Sequence, residues 1–220
     1  MRAIELITEE IPPLTHLDTG EKALNWMEEF KVSHLPVLKS GNFVGVVSES
    51  NILDKMEIDK TLDELFQHLP RPYASSVDHI YQVLSRIAEH KLSMIPILDE
   101  NEQYLGCTTV HHLLTLIANT GSIKAHGGII VLEMASTDYS MAQIAQIVES
   151  NDAKILSSYI MSSVDSTNIE VTLKINLFEL DRIIRTFERY DYKIKASFQK
   201  STDDDDLQFR YDALMKYLNF

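Results

Sequence analysis

The sequence predicts an α+β protein: a tandem pair of βαββα units, then a ferredoxin-like βαββαβ unit, then a C-terminal amphipathic helix. Three observations carry this reading. Lys31-Val32-Ser33-His34-Leu35-Pro36-Val37-Leu38 recurs sixty residues on as Lys91-Leu92-Ser93-Met94-Ile95-Pro96-Ile97-Leu98, and an internal repeat is the mark of a tandem module. From residue 127 the apolar periodicity switches between strand and helix type in the order βαββαβ. Leu207, Tyr211, Leu214, Met215 and Leu218 then form an apolar stripe at helical spacing.

The repeat extends beyond the prolines. Leu17 matches Val77, Ala23 matches Val83, Leu24 matches Leu84 and Met27 matches Ile87. After one inserted residue Phe43-Val44-Gly45 matches Tyr104-Leu105-Gly106, and Ser48 matches Thr109. In the first copy Ala23, Leu24, Met27 and Phe30 recur at helical spacing, which predicts a helix from Gly20 to Phe30. Pro36 lacks a ladder donor and is expected at a strand start, followed by Val37-Leu38. Lys39-Ser40-Gly41-Asn42 is a hairpin turn and Phe43 to Val47 the return strand. Ser48 suits the N-cap of a second helix through Ile52 and Leu53. The second copy predicts a helix near His79 to His90, strands at Ile95–Leu98 and Tyr104–Thr108, and Thr109 as the last cap. Such a unit leaves one apolar sheet face bare, and packing two units together covers it.

Composition narrows the function classes. The chain has 220 residues, enough for a sizeable core, and an ordinary apolar fraction of 45%. A formal charge of -13 disfavours nucleic acid and anionic membrane surfaces. The one cysteine, Cys107, excludes an internal disulfide and fits a reducing compartment. No secretory h-region and no membrane-length apolar run is present, so a cytoplasmic location is expected.

The order of helix, x-h-Pro-h-h, Gly-containing hairpin, Gly-h-h-Ser/Thr and helix, twice over, resembles tandem cystathionine-β-synthase (CBS) domains, the pair called a Bateman module. The resemblance covers about residues 1–120, with 1–60 as the first repeat and 61–122 as the second. It implies two clefts that bind adenosine nucleotides, with AMP, ADP, ATP or S-adenosylmethionine as the regulatory ligand. The family motif is h-x-[Ser/Thr]-x-x-[Asp/Asn]; a hydroxyl and free N–H groups at a helix start suit a phosphate, and the last residue can reach ribose hydroxyls. The first copy reads Val46-Val47-Ser48-Glu49-Ser50-Asn51. The second reads Cys107-Thr108-Thr109-Val110-His111-His112, which keeps the hydroxyl but puts His112 where Asp or Asn is expected. Ser48, Asn51, Thr109, His112 and the backbone around Leu35 and Ile95 are the candidate ligand contacts. Thr15 and Ser75, at matching positions before each first helix, join them. A simpler role for Ser48 and Thr109 is helix capping. His111-His112 is read as packed or solvated rather than as a metal site, because adjacent helical residues diverge by about 100°.

In the C-terminal third, Ala125-His126-Gly127-Gly128 reads as a loop. Strands are predicted at Ile129–Met134, Ile155–Met161, Ile169–Ile175 and Tyr192–Phe198, with helices at Ser140–Ser150 and Leu177–Tyr190. Residues 127–200 resemble an ACT domain, a small regulatory module that binds amino acids between subunits. That family places a glycine after the first strand, but here the loop is Ala135-Ser136-Thr137-Asp138-Tyr139-Ser140, which points to dimerisation rather than to an amino-acid ligand. Residues 201–220 comprise Asp203-Asp204-Asp205-Asp206, read as solvated linker, and the helix Leu207–Leu218 with Asp206 as its cap. CBS repeats followed by such a module resemble acetoin-utilisation accessory proteins.

The sequence holds no G-x-S-x-G, P-loop, H-E-x-x-H or C-x-x-C motif. The expectation is a non-catalytic, homodimeric regulator that senses a small adenine-containing ligand and acts on a protein partner. The competing expectation is a ligand-free dimerisation and interaction module.

Overall fold

Each copy of the repeat builds a three-stranded sheet with the same register. A computed structural model describes residues 1–8, 10–55, 57–162 and 167–199. It divides into two units, residues 1–118 and 119–220. The first copy runs β1 (Leu14–Thr15), α1 (Gly20–Glu29), β2 (His34–Lys39), β3 (Asn42–Ser48), α2 (Glu49–Lys55). After α3 (Leu62–Leu65) the second copy follows as β4 (Ala74–Ser75), α4 (Ile80–His90), β5 (Met94–Leu98), β6 (Tyr104–Thr109), α5 (Val110–Ala118). β1 pairs parallel to β2 with Leu14 opposite Val37, and β4 pairs parallel to β5 with Ala74 opposite Ile97. β2–β3 and β5–β6 are antiparallel hairpins.

The expectation that Pro36 opens its strand is corrected, since β2 starts at His34; β5 starts at Met94, one residue before the expected Ile95. The geometry explains why. Val46, opposite Pro36, donates its N–H away from β2 to the Pro70 carbonyl at 2.8 Å. Pro36 and Val46 are therefore a non-hydrogen-bonded pair, and the missing proline N–H faces the side that β1 leaves open. The hairpin is as expected: Ser40 and Gly41 take φ of 51° and 84° in a two-residue loop between Lys39 and Asn42.

The two copies exchange their leading segments. The backbone N–H groups of Leu62 and Asp63, ahead of the second copy, donate to the carbonyls of Asp18 and His16 in the first, at 2.8 and 2.9 Å. Those of Ala3 and Ile4, ahead of the first copy, donate to Asp78 and Ser76 in the second, at 2.7 and 3.1 Å. Leu62 and Leu65 are buried with Leu14, Ala23, Met27 and Val37. Ala3 and Leu6 are buried with Ala74, Val83, Ile87 and Ile97. At roughly 1.5–3 kcal/mol per buried leucine, each core depends on a segment that begins the other copy.

This crossing accounts for Gly45 and Gly106. A Cβ at Gly45 would lie 2.5 Å from Leu69 Cβ and 2.7 Å from the Pro70 carbonyl oxygen, and one at Gly106 would lie 2.5 Å from Ile7 Cγ2. The sheets meet near a local pseudo-twofold, where Phe43 stacks on its counterpart Tyr104 with ring centroids 6.4 Å apart, beside Val46, Leu38 and Leu98.

In the second unit, α6 (Gly121–Lys124) precedes β7 (Ile129–Ala135), α7 (Met141–Glu149), β8 (Ile155–Ser162), β9 (Asn168–Ile175), α8 (Asp181–Arg189) and β10 (Lys193–Phe198). The antiparallel sheet has the order β10-β7-β9-β8, the expected ferredoxin-like arrangement. Ile169, Val171, Leu173 and Ile175 alternate toward the core, where they meet Ile144, Ile147, Val148, Ile183 and Phe187 of the two helices. The expected helix start at Leu177 is corrected to Asp181. The Leu177 carbonyl accepts from the Gly128 N–H at 2.7 Å, and the Leu180 N–H donates to Gln199 Oε1 at 3.1 Å, so these groups are committed outside a helix. The loop after β7 forms a 3-10 turn at Ser136–Asp138. The expected helix Leu207–Leu218, its cap Asp206 and the acidic run lie outside the described residues.

Candidate functional site: a cleft shared by the two repeats

α2 follows β3 directly, so Ser48 at the end of the strand becomes the cap of the helix. Its Oγ accepts the Asn51 N–H at 3.2 Å and donates to Asn51 Oδ1 at 2.5 Å. The Glu49 N–H donates to the Ser33 carbonyl at 3.0 Å. The second copy repeats the design: Thr109 Oγ1 accepts the His112 N–H at 3.0 Å and the Val110 N–H donates to Ser93 O at 3.0 Å. The capping role is thus present in both copies.

Ser48 and Asn51 line a cleft of about 380 Å³ with His34, Val46, Pro70, Arg71, Pro72, His90 and Leu92, within the size of a small-ligand site. One wall comes from β2, β3 and α2, the other from the linker before β4 and the end of α4. His34 and Ser48 also border an adjoining recess with Ser33, Glu49, Ser50 and Leu53. Arg71 carries the permanent cation of the cleft. Its Nη2 donates to the Phe43 carbonyl at 3.3 Å and to Glu102 Oε2 at 3.1 Å, and its guanidinium lies 5.6 Å from the Phe43 ring centroid. His34 Nδ1 accepts the Ser93 N–H at 3.3 Å and lies 3.1 Å from the hydroxyls of Ser33 and Ser93. Burial holds its pKa below the ordinary histidine value.

The structure brings Ser48 and Asn51 together and sets the other candidates apart. Leu35 and Ile95 are fully buried and face the apolar cores. Thr15 and Ser75 end β1 and β4, and their N–H groups donate to Asp18 and Asp78 at 2.7 and 2.9 Å; neither lines the cleft. Thr109 and His112 occupy the equivalent place in the second copy. There the sixty-residue counterparts of Arg71, His90 and Leu92 are Ile11, Phe30 and Val32, and Met94 and Cys107 replace His34 and Val46. Ile11, Val32, Met94 and Cys107 are all buried in one apolar cluster, with Phe30 packed against it. Sequence reasoning missed His34, Arg71 and His90. Comparing the copies position by position for loss of polarity finds all three. Among the described residues no group of three or more His, Cys, Asp or Glu could hold a metal ion, and no helix is long and apolar enough to cross a membrane.

The cleft is thus lined by both βαββα units. Residues 3–58 match the family model of the CBS domain. Among solved structures the chain is similar to a CBS domain pair/ACT domain protein from Thermotoga maritima, at 23% identity over 55% of this chain and 99% of that one, TM-score 0.48. It is similar to a candidate acetoin utilization protein from Vibrio cholerae, at 18% identity over 54% and 91%, TM-score 0.46. A third is the CBS domain of a bacterial CNNM/CorC family Mg2+ transporter in complex with ATP, at 20% identity over 54% and 87%, TM-score 0.44.

Proposed function

We propose that this chain is a non-catalytic regulatory protein whose Ser48–Asn51 cleft senses a small phosphorylated, adenine-containing ligand. The observation that carries the proposal is the set of groups converging on the cleft from both copies. Val46, Pro70, Pro72 and Leu92 supply flat apolar walls for a heterocycle. Arg71 suits a phosphate, which can displace Glu102 as its partner. Ser48 and Asn51 suit a ribose diol. Residues 1–60 and 61–122 act as the two copies and 127–200 as a dimerising ACT-like unit. Because both copies line the cleft, a bound ligand favours one arrangement of them over another, and that difference in affinity is what a partner reads. Ile11, Val32, Met94 and Cys107 pack the equivalent place in the second copy, so the reading is one site per chain.

Isothermal titration of the whole chain with AMP, ADP, ATP and S-adenosylmethionine tests this. One site per chain is expected, weakened about tenfold or more, 1.4 kcal/mol, by Arg71→Ala or Asn51→Ala. No heat and no shift in melting temperature at millimolar concentration of any of the four overturns it.

One observation favours a second reading, a ligand-free homodimeric interaction module. Ser48 and Asn51 already satisfy each other. Under that reading Asn51→Ala leaves partner binding unchanged.

A further inference from the structure

A second cavity, of about 300 Å³, is lined by His16, Lys39, Asp63, Phe66, His68 and Arg71 among others. His16 follows β1 and Lys39 ends β2, both in the first copy; the rest come from α3 and the segment that leads into β4. The His16 backbone is held on both sides. Its N–H donates to the Leu38 carbonyl at 2.9 Å, and its carbonyl accepts the Asp63 N–H at 2.9 Å. Two permanent cations and two imidazoles thus surround one carboxylate, Asp63, in a chain of net charge -13. His16 Nδ1 is shielded from water and has no hydrogen-bond partner among the described residues. Such an orphan is uncommon in a folded protein, and a ligand oxygen in the cavity would satisfy it.

The repeat itself shows that folding does not require these bases. At the sixty-residue offset His16, Lys39, His68 and Arg71 correspond to Ser76, Asp99, Thr8 and Ile11. The second copy forms the same parallel pairing and receives its leading segment in the same way with none of the four. Asp63 and Phe66 correspond to Ala3 and Leu6, which are buried in the apolar core there. Basicity at this place therefore belongs to one copy and not to the fold. The ion pairs already present are open to exchange. Lys39 Nζ meets Asp63 Oδ1 at 2.9 Å and Arg71 Nη2 meets Glu102 Oε2 at 3.1 Å, with all four side chains about half exposed, and pairs so exposed are weak. We propose that this cavity binds a phosphate group, held by Lys39, Arg71 and the imidazoles of His16 and His68, with Phe66 as an apolar wall. A single carboxylate charge is already supplied by Asp63; a dianion with three free oxygens engages several of these donors at once and displaces it. Only Arg71 also lines the Ser48–Asn51 cleft, so the site is a separate one, and it does not depend on whether that cleft is filled.

The test is a titration of the whole chain with inorganic phosphate at pH 7 and constant ionic strength, chloride being the anion exchanged. It is read from the imidazole NMR signals of His16, His34 and His68, assigned with His16→Gln, His34→Gln and His68→Gln. His16 and His68 are expected to shift together and saturably, with half-saturation on the order of 1 mM, while His34 stays in place. Lys39→Gln is expected to weaken binding about tenfold, the loss of one charge-assisted contact. Asp63→Asn is expected to tighten it by up to about fivefold, because a competing carboxylate is gone; a merely structural Asp63 gives no tightening. Glycerol 3-phosphate is the second arm. Tighter binding than inorganic phosphate assigns a phosphorylated small molecule whose carbons meet Phe66, and equal binding assigns the free ion. No saturable shift at tens of millimolar phosphate overturns the proposal. So does a shift of His34 with His16 unmoved, which puts the ion in the other cleft, or a loss of affinity in Asp63→Asn.

Discussion

The Ser33 N–H donates to the hydroxyl of Ser93 at 2.9 Å, although the two serines lie sixty residues apart and hold the same place in the repeat. A true twofold would return the bond from the Ser93 N–H to the Ser33 hydroxyl. Instead the Ser93 N–H donates to His34 Nδ1. The second copy has Met94 at that position, which has no ring nitrogen to offer. The symmetry is broken at the mouth of the cleft by one side chain.

That bond predicts a pH dependence. Nδ1 accepts a backbone N–H, so His34 is neutral in the folded state, and burial lowers its pKa. Between the lowered folded value and the unfolded value of about 6.5, the unfolded chain binds more protons. Stability from this group is whole above that window and falls as pH drops through it. The melting temperature of His34→Met is expected to fall less between pH 7.5 and 5.5 than that of the wild type; equal slopes would remove His34 from the account.

Cys107 is fully buried beneath the N-terminal segment, with Sγ 3.9 Å from the Ile11 carbonyl, and burial pushes its thiol up to about 11. Only the thiolate reacts well. Iodoacetamide at pH 8 should leave the native chain unlabelled for hours and label it at once in urea. Leu6→Ala, which loosens the segment over it, should raise the native rate. Rapid labelling of the wild type would contradict the burial.

Gly45→Ala and Gly106→Ala should differ. The first drives a methyl into the Pro70 carbonyl and Leu69 Cβ, which move only with the chain; the second meets the Cγ2 methyl of Ile7, which can yield. Overpacking costs about 1–3 kcal/mol, with Gly45→Ala expected near the top and Gly106→Ala near the bottom. Urea denaturation midpoints order the two.

Lys91 ends α4 at φ 51°, in the left-handed region, as Lys31 does after α1 at φ 56°. L-residues are strained there and glycine is not. Lys91→Gly should stabilise the chain by about 1 kcal/mol. A lower melting temperature would show that the lysine side chain contributes more than its backbone costs.

Much of the fold was legible because it is written locally and twice. The helix faces, the Ser40-Gly41 hairpin and the Ser48 and Thr109 caps depend on neighbouring residues. The leading strands β1 and β4 were expected from the βαββα order but could not be placed, since two residues carry no periodicity. The exchange of leading segments was not legible, for nothing near Leu62 or Ala3 states which copy they will meet. In the cleft, Ser48 and Asn51 were readable as a motif. Arg71 and His90 belong to no motif, because the linker before β4 and the end of α4 contribute single residues; only their replacement by Ile11 and Phe30 in the other copy marks them in the sequence.

The crossed leading segments make the number of copies a condition of folding rather than a count. A lone repeat carries a socket that its own plug does not enter, since Leu62 and Leu65 come from beyond its end while Ala3 and Leu6 belong elsewhere. Residues 1–58 expressed alone would fill that socket only by trading plugs with another molecule of the same kind. The covalent link between the copies does not create their partnership; it makes the trade internal and independent of concentration.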